Sequence, residues 1–308
     1  LLLLLSLAVI ADCGGGDDRD GDDGGSTPIP SGTLLFTATS NPSAGNDAVW
    51  RIAIDSAYMY VVGVDSSPGN YQGRIEKRNL SDGALAAAFG TGGAVVSNPS
   101  ASDDYAYSIA IDSTYMYVVG YDSSPGNGQG RIEKRNLSDG ALAAAFGASG
   151  VVTSNPSASI DAAFWIAIDS AYMYVVGYDS SPGNGQWRIE KRNLSDGALA
   201  AAFGTGGAVV SNPSASDDYA YSIAIDSTYM YVVGYDSSPG NGQGRIEKRN
   251  LSDGALAAAF GASGVVTSNP SAGDDAALGI AIDSAYMYVV GIDSSPGNPQ
   301  GRIEKMIK

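Results

Sequence analysis

A single repeat dominates the sequence. The stretch Ile109 to Tyr121, IAIDSTYMYVVGY, returns almost letter for letter from Ile52, Ile166, Ile223 and Ile280, each start 57 positions after the last and with no insertion between copies. A fixed period of this order, built of short apolar runs and turn residues, marks a propeller or a solenoid: one unit cannot cover its own flat faces and must stack on its neighbours. One repeat domain is therefore expected over most of the 308 residues.

The copy from Ile109 to Trp165 reads as four strands. Ile109 and Ile111 alternate with Ala110 and Asp112 before the turn at Ser113. Tyr115 to Tyr121 is apolar on both faces, as in a strand with a sheet packed on each side. The Pro- and Gly-bearing cluster from Asp122 to Gly130 is a turn, and RIEKR (Arg131 to Arg135) is a third strand. Charge on both its faces predicts a solvated edge, held by cross-strand ion pairs. ALAAAF (Ala141 to Phe146) is long enough for one helical turn, and GVVTS (Gly150 to Ser154) is the fourth strand.

Four antiparallel strands grading from apolar to charged describe a propeller blade. Thr33 to Arg51 aligns with the fourth strand and following loop of a unit, whereas the final copy, Ile280 to Lys308, carries three strands. The expectation is an all-β, five-bladed β-propeller of four-stranded repeats over residues 33–308. An N-terminal strand at Leu34 to Thr39 would complete the last blade beside Arg302 to Lys305 and remove a free edge.

The run Val175 to Gly207 resembles the bacterial delta-sixty repeat through Val176, Gly177, Arg188, Ile189, Asp196, Gly197, Leu199, Phe203, Gly204 and Gly207. It is also similar, more loosely, to NHL-type propeller repeats through IAID, YVVG and RIEK. The resemblance implies a β-propeller of the kind found on secreted or surface bacterial proteins. It brings no catalytic residues with it.

Residues 1–12 open with the apolar run LLLLLSLAVI, too short to span a bilayer and suited to the core of a signal peptide. No initiator Met or basic flank precedes it, which predicts that the start is truncated. The only Cys, Cys13, follows at once and has no partner for an internal disulfide. The stretch resembles a bacterial lipoprotein signal, with Cys13 as the lipidated residue, although Asp12 stands where that pattern has a small residue. Residues 13–32 form a Gly/Asp-rich tether with nothing to bury. The expected location is an outer-membrane or cell-surface lipoprotein, or otherwise a secreted protein.

A net charge of −16 argues against nucleic acid as a partner, and against a membrane surface except through a lipid anchor. The sequence has no His, which removes the commonest general base and rules out Ser–His or Cys–His nucleophilic pairs. Every Glu sits at the same place in RIEK, so no two carboxylates stand in the distinct environments that glycoside hydrolysis requires. The expectation is a monomer that is not an enzyme and has no cofactor, with weak calcium association at most.

The candidate sites follow from connectivity. The loop entering the first strand and the loop between strands two and three share one face. That face gathers Asp47, Asp104, Asp161, Asp218 and Asp275, with Asp103, Asp217 and Asp274 adjoining three of them, and Trp50, Tyr107, Trp165 and Tyr221 nearby. A second ring, Asp65, Asp122, Asp179, Asp236 and Asp293, opens the turn after each second strand. Trp187 and Tyr71 break the symmetry at Gly positions. One reading is repeated shallow sites for a glycan or a surface protein, with carboxylates bonding hydroxyls and rings stacking on sugars. The other is structural, with Asp fixing turns and aromatics filling the gaps between blades. A glycoside-processing enzyme and a purely structural surface repeat protein are the alternatives at the level of function.

Overall fold

The computed structural model describes residues 31–308 apart from 68, 125, 182, 239, 296 and 297. The apolar run, Cys13 and the tether up to residue 30 lie outside the described residues. Sheet 1 is β1 (Ala48–Ile54), β2 (Tyr58–Asp65), β3 (Gln72–Asn79) and β4 (Ala94–Ser97). Sheet 2 is β5 (Tyr105–Ile111), β6 (Tyr115–Asp122), β7 (Gln129–Asn136) and β8 (Val151–Ser154). Sheet 3 is β9 (Ala162–Ile168), β10 (Tyr172–Asp179), β11 (Gln186–Asn193) and β12 (Ala208–Ser211). Sheet 4 is β13 (Tyr219–Ile225), β14 (Tyr229–Asp236), β15 (Gln243–Asn250) and β16 (Val265–Ser268). Sheet 5 is β17 (Ala276–Ile282), β18 (Tyr286–Asp293) and β19 (Gln300–Ile307). Each sheet is an antiparallel meander in chain order, which makes the fold all-β and propeller-like. ALAAAF forms turns and one isolated bridge, Leu142 to Arg135, in place of the expected helical turn.

The doubly apolar second strand is explained by its position between two neighbours. Side chains alternate across a strand. On β6, Met116 and Val118 pack with Tyr60, Val62, Ile75 and Phe89 of sheet 1. Tyr117 and Val119 point the other way, onto Ala163, Ile166 and Met173 of sheet 3. One such core lies between every two successive sheets.

The third strand is not the solvated edge that its charges suggest. Glu133 is 2% exposed and accepts from Arg131 Nε at 2.7 Å, Arg135 Nε at 2.7 Å and Ser97 Oγ of the preceding sheet at 2.5 Å. Arg-x-Glu-x-Arg places the three charges on one strand face, so the carboxylate is neutralised where it stands and its burial is tolerated. Burial pushes the Glu133 carboxyl up, but Arg135, Arg131 and the Ser97 hydroxyl outweigh it and hold it below the usual range. Lys134 reaches forward, lying 4.1 Å from the Tyr115 ring centre and donating to Leu194 O of the next sheet at 2.7 Å. The Ser–Glu and Lys–Leu links recur at the next junction, through Ser154, Glu190, Lys191 and Leu251.

Each first strand carries a bulge. Trp50, Tyr107, Phe164, Tyr221 and Leu278 are the residues skipped in the register with the second strand. Opposite each bulge stands a glycine. A Cβ on Gly120 would lie 1.8 Å from Tyr105 O, so no side chain fits there.

The described strands begin at Ala48, so the five sheets stand without a closing pair. Sheet 5 has three strands, and residues 33–40 pair with no strand of it. Those residues instead sit on sheet 1 in the place of a preceding fourth strand. Ser40 Oγ donates to Glu76 at 2.7 Å, as Ser97 does to Glu133, and Phe36 lies over Gly83 as Phe89 lies over Gly140. Ile303 is 80% exposed, whereas its counterparts Ile75, Ile132, Ile189 and Ile246 are at 0%. On sheet 1 an open cleft of about 300 Å³ is bordered by Phe36, Val49, Arg51, Ile52, Met59 and Val61. This is the surface that a preceding sheet covers at every other junction.

Candidate functional site

The first carboxylate ring proves to be internal to the loops. Asp104 is 1% exposed and accepts from Ser100 N at 3.1 Å, Ser100 Oγ at 3.0 Å and Ser123 N at 3.0 Å. The Ser-x-x-x-Asp spacing makes this a local staple, and the Ser123 contact ties the entering loop to the loop after the second strand. Asp161, Asp218 and Asp275 are buried in the same way. Asp47 is half-buried and holds Ser43 and Ser66. Burial raises the Asp218 carboxyl despite those bonds, whereas at Asp47 the bonds from Ser66 and Ser43 outweigh burial and lower it. The carboxylates of Asp104, Asp161, Asp218 and Asp275 are thus engaged within the loops, and Asp47, which bonds the same way, is the most exposed of the five. The second ring is structural too. Asp122, for example, accepts from Ser124 N at 2.7 Å and lies 3.4 Å from Arg131 Nη1.

The exposed acids are the neighbours. Asp103, Asp217 and Asp274 stand at the rim, each accepting one backbone N–H from the preceding unit: Tyr71 N, Gly185 N and Gly242 N, at 3.0, 2.6 and 2.8 Å.

Beside that rim lies a continuous band of aromatic rings. The bulge residues form its spine: Trp50 stacks on Tyr107 at 5.2 Å, Tyr107 meets Phe164 edge-on at 5.5 Å, and Phe164 lies 6.1 Å from Tyr221. Tyr105 lies nearly parallel to Tyr107 at 5.5 Å and neighbours Tyr71 and Tyr121. Tyr178 meets Tyr219 edge-on at 5.2 Å, and Tyr219 stacks with Tyr235. All of these rings are half-buried. Burial raises the Tyr107 and Tyr221 phenols, and burial with Asp103 pushes Tyr105 up to about 12, so the hydroxyls stay protonated as donors at neutral pH. The band thins in sheet 5, where Leu278, Ala276 and Ile292 hold the equivalent positions.

Two of the sequence candidates fall elsewhere. Trp187 is fully buried between sheets 3 and 4, with Nε1 donating to Tyr235 O at 2.9 Å, so it offers no ring face. Trp165 is one position past the bulge, and the guanidinium of Arg51 lies 3.9 Å from its ring centre. The bulge residue of that unit is Phe164, which the sequence reading missed along with Tyr105, Tyr121, Tyr178, Tyr219, Tyr235 and Arg51. Aligning the units at 57 places Trp50, Tyr107, Phe164 and Tyr221 in one column, and that signal is present in the sequence. No group of three or more potential metal-ligating side chains occurs among the described residues. What the surface offers is ring faces, phenol donors and rim carboxylates, a set suited to stacking and hydrogen bonding.

No family model matches this chain, and no curated protein matches it. Among solved structures, a chain titled "Glycoside hydrolase" superposes with a TM-score of 0.39 at 11% identity, covering 83% of this chain. The match spans 60% of that protein's own length. A likeness at that level carries no chemistry to this chain.

Proposed function

We propose that the protein is a non-catalytic binding module carried at the bacterial cell surface, and that its aromatic face takes a carbohydrate chain. The reading rests on one observation: a band of half-buried rings from Trp50 to Tyr235, flanked by the exposed acids Asp103, Asp217 and Asp274. Sugars present apolar C–H faces and hydroxyl edges, which such rings and carboxylates complement, and several weak contacts along one chain reinforce each other. A lipid on Cys13 and the Gly/Asp-rich tether would hold the module at the membrane. Calorimetry against a panel of neutral oligosaccharides should give saturable binding that falls at least tenfold in Tyr105→Ala. Absence of any saturable sugar would reject the proposal. Cys13→Ala should move the full-length protein from the membrane fraction to the soluble fraction.

The proposed scaffold is a closed five-bladed wheel. By analogy with Gly73↔Ser97 through Glu76↔Ala94, residues Thr37 to Ser40 would pair with Glu304 to Gly301. The Ser40–Glu76 bond supports this, because it is the contact that a fourth strand makes with the sheet after it.

A purely structural role is the second reading. The saturation of the Asp104 ring favours it, and failure of the sugar panel would leave it standing.

A further inference from the structure

Of the ten described arginines, nine hold a carboxylate and Arg51 does not. It is partly buried, and desolvation lowers its pKa to about 10. A guanidinium withdrawn from water without a counter-charge is costly, and none of the described acids supplies one.

The donor geometry is specific. Nη1 donates to Trp50 O at 2.7 Å, whereas among the described residues Nε is buried without a partner and Nη2 makes no hydrogen bond. The unpaired edge is therefore the Nε–Nη2 edge, which carries the two parallel donors that bind a carboxylate in bidentate fashion. One face of the guanidinium is held by the Trp165 ring.

The position also breaks the repeat. Arg51, Ser108, Trp165, Ser222 and Gly279 are equivalent across the five units. The only cation and the only indole of that set meet each other, while the others are small. Ser222 adds a fully buried hydroxyl with no partner. Each residue directly follows a bulge residue, so this ring adjoins the aromatic band.

We propose that the Nε–Nη2 edge of Arg51, backed by Trp165, is a subsite for the carboxylate of an acidic sugar. The inference rests on the carbohydrate reading above and narrows it to chains containing uronic acid. The acidic surface disfavours dense polyanions, but charges beyond roughly 8 Å are screened at physiological salt, and the fork acts at contact distance.

The test is calorimetry with trimers of galacturonate, glucuronate and mannuronate, each beside its neutral methyl ester. Wild-type protein should bind at least one acid trimer tenfold or more tighter than its ester. Arg51→Gln should bring that pair within about twofold while leaving the ester's affinity unchanged, and Arg51→Lys should keep part of the preference. Equal binding of acid and ester by wild type would overturn the subsite and leave the carbohydrate reading intact, and so would an equal loss of both in Arg51→Gln. If neither acid, ester nor neutral oligosaccharide binds, both proposals fail. The comparison within wild-type protein stands even if the variants are unstable.

Discussion

The junction between sheets 2 and 3 and the pair of surfaces left at the two ends are built from the same residues in opposite states. At the junction, Ile132 is sealed, Ser154 reaches Glu190 and Lys134 reaches Leu194. At the ends, Ile303 lies in solvent, and Ile52 and Ile54 are 45% and 51% exposed, whereas Ile166, the counterpart of Ile52, is at 3%. Ser40 nevertheless already holds Glu76. The difference shows that the burial of these side chains depends on the sheet that lies against each face. It also shows that the N-terminal segment adopts a fourth strand's contacts with sheet 1 without a third strand beside it.

The largest effect should come from acid, because it acts on every junction together. Glu133, Glu190 and Glu247 have folded pKa values below the ordinary 4.5. A carboxyl lowered in the folded state contributes stability that is complete above its unfolded pKa and is lost as pH falls through the folded value. Melting temperature should therefore drop steeply below pH 4.5, and less steeply in Glu190→Gln. A flat profile down to about pH 2 would contradict the buried-pair account.

Single truncations come next. Glu190→Ala removes the carboxylate shared by Arg188 and Arg192, leaving Arg188 only Asp179 and Arg192 only Gly197 O, and should cost about 3 kcal/mol by urea denaturation. Glu76→Ala should match it, since Arg74, Arg78 and Ser40 surround that carboxylate in the same way. Ile189→Ala should cost about 2–5 kcal/mol. Ile303→Ala separates the closed wheel from the open array: a comparable loss means that its face is covered in solution, and a change within about 0.5 kcal/mol means that it is not. The smallest effect is at the hydroxyls. Ser154→Ala should cost about 1.5–3 kcal/mol, as expected for a bond to a charged group, and Ser40→Ala should equal it if the N-terminal segment is docked.

Much of the fold can be read from the sequence because the repeat is so regular. The strands of each repeat, their meander order and the two-faced burial of Tyr115 to Tyr121 follow from spacing. The third strand reads wrongly because residue type alone cannot show that Arg131, Glu133 and Arg135 neutralise one another under a neighbouring sheet. The candidate site is half legible. Its aromatics can be found, but Asp104 and its equivalents look the same in sequence whether they point to solvent or to Ser100. The bulge that lifts Phe164 into line and moves Trp165 toward Arg51 is invisible without the pairing register.

Closure into a wheel is most directly tested by hydrogen–deuterium exchange of the backbone amides of Thr37 to Ser40 and Gly301 to Glu304. The account predicts that both stretches are protected as strongly as Ala94 to Ser97 and Gly73 to Glu76, which form the same pair inside the array. Exchange of both at the rate of open chain, with β3 and β4 protected, would contradict it.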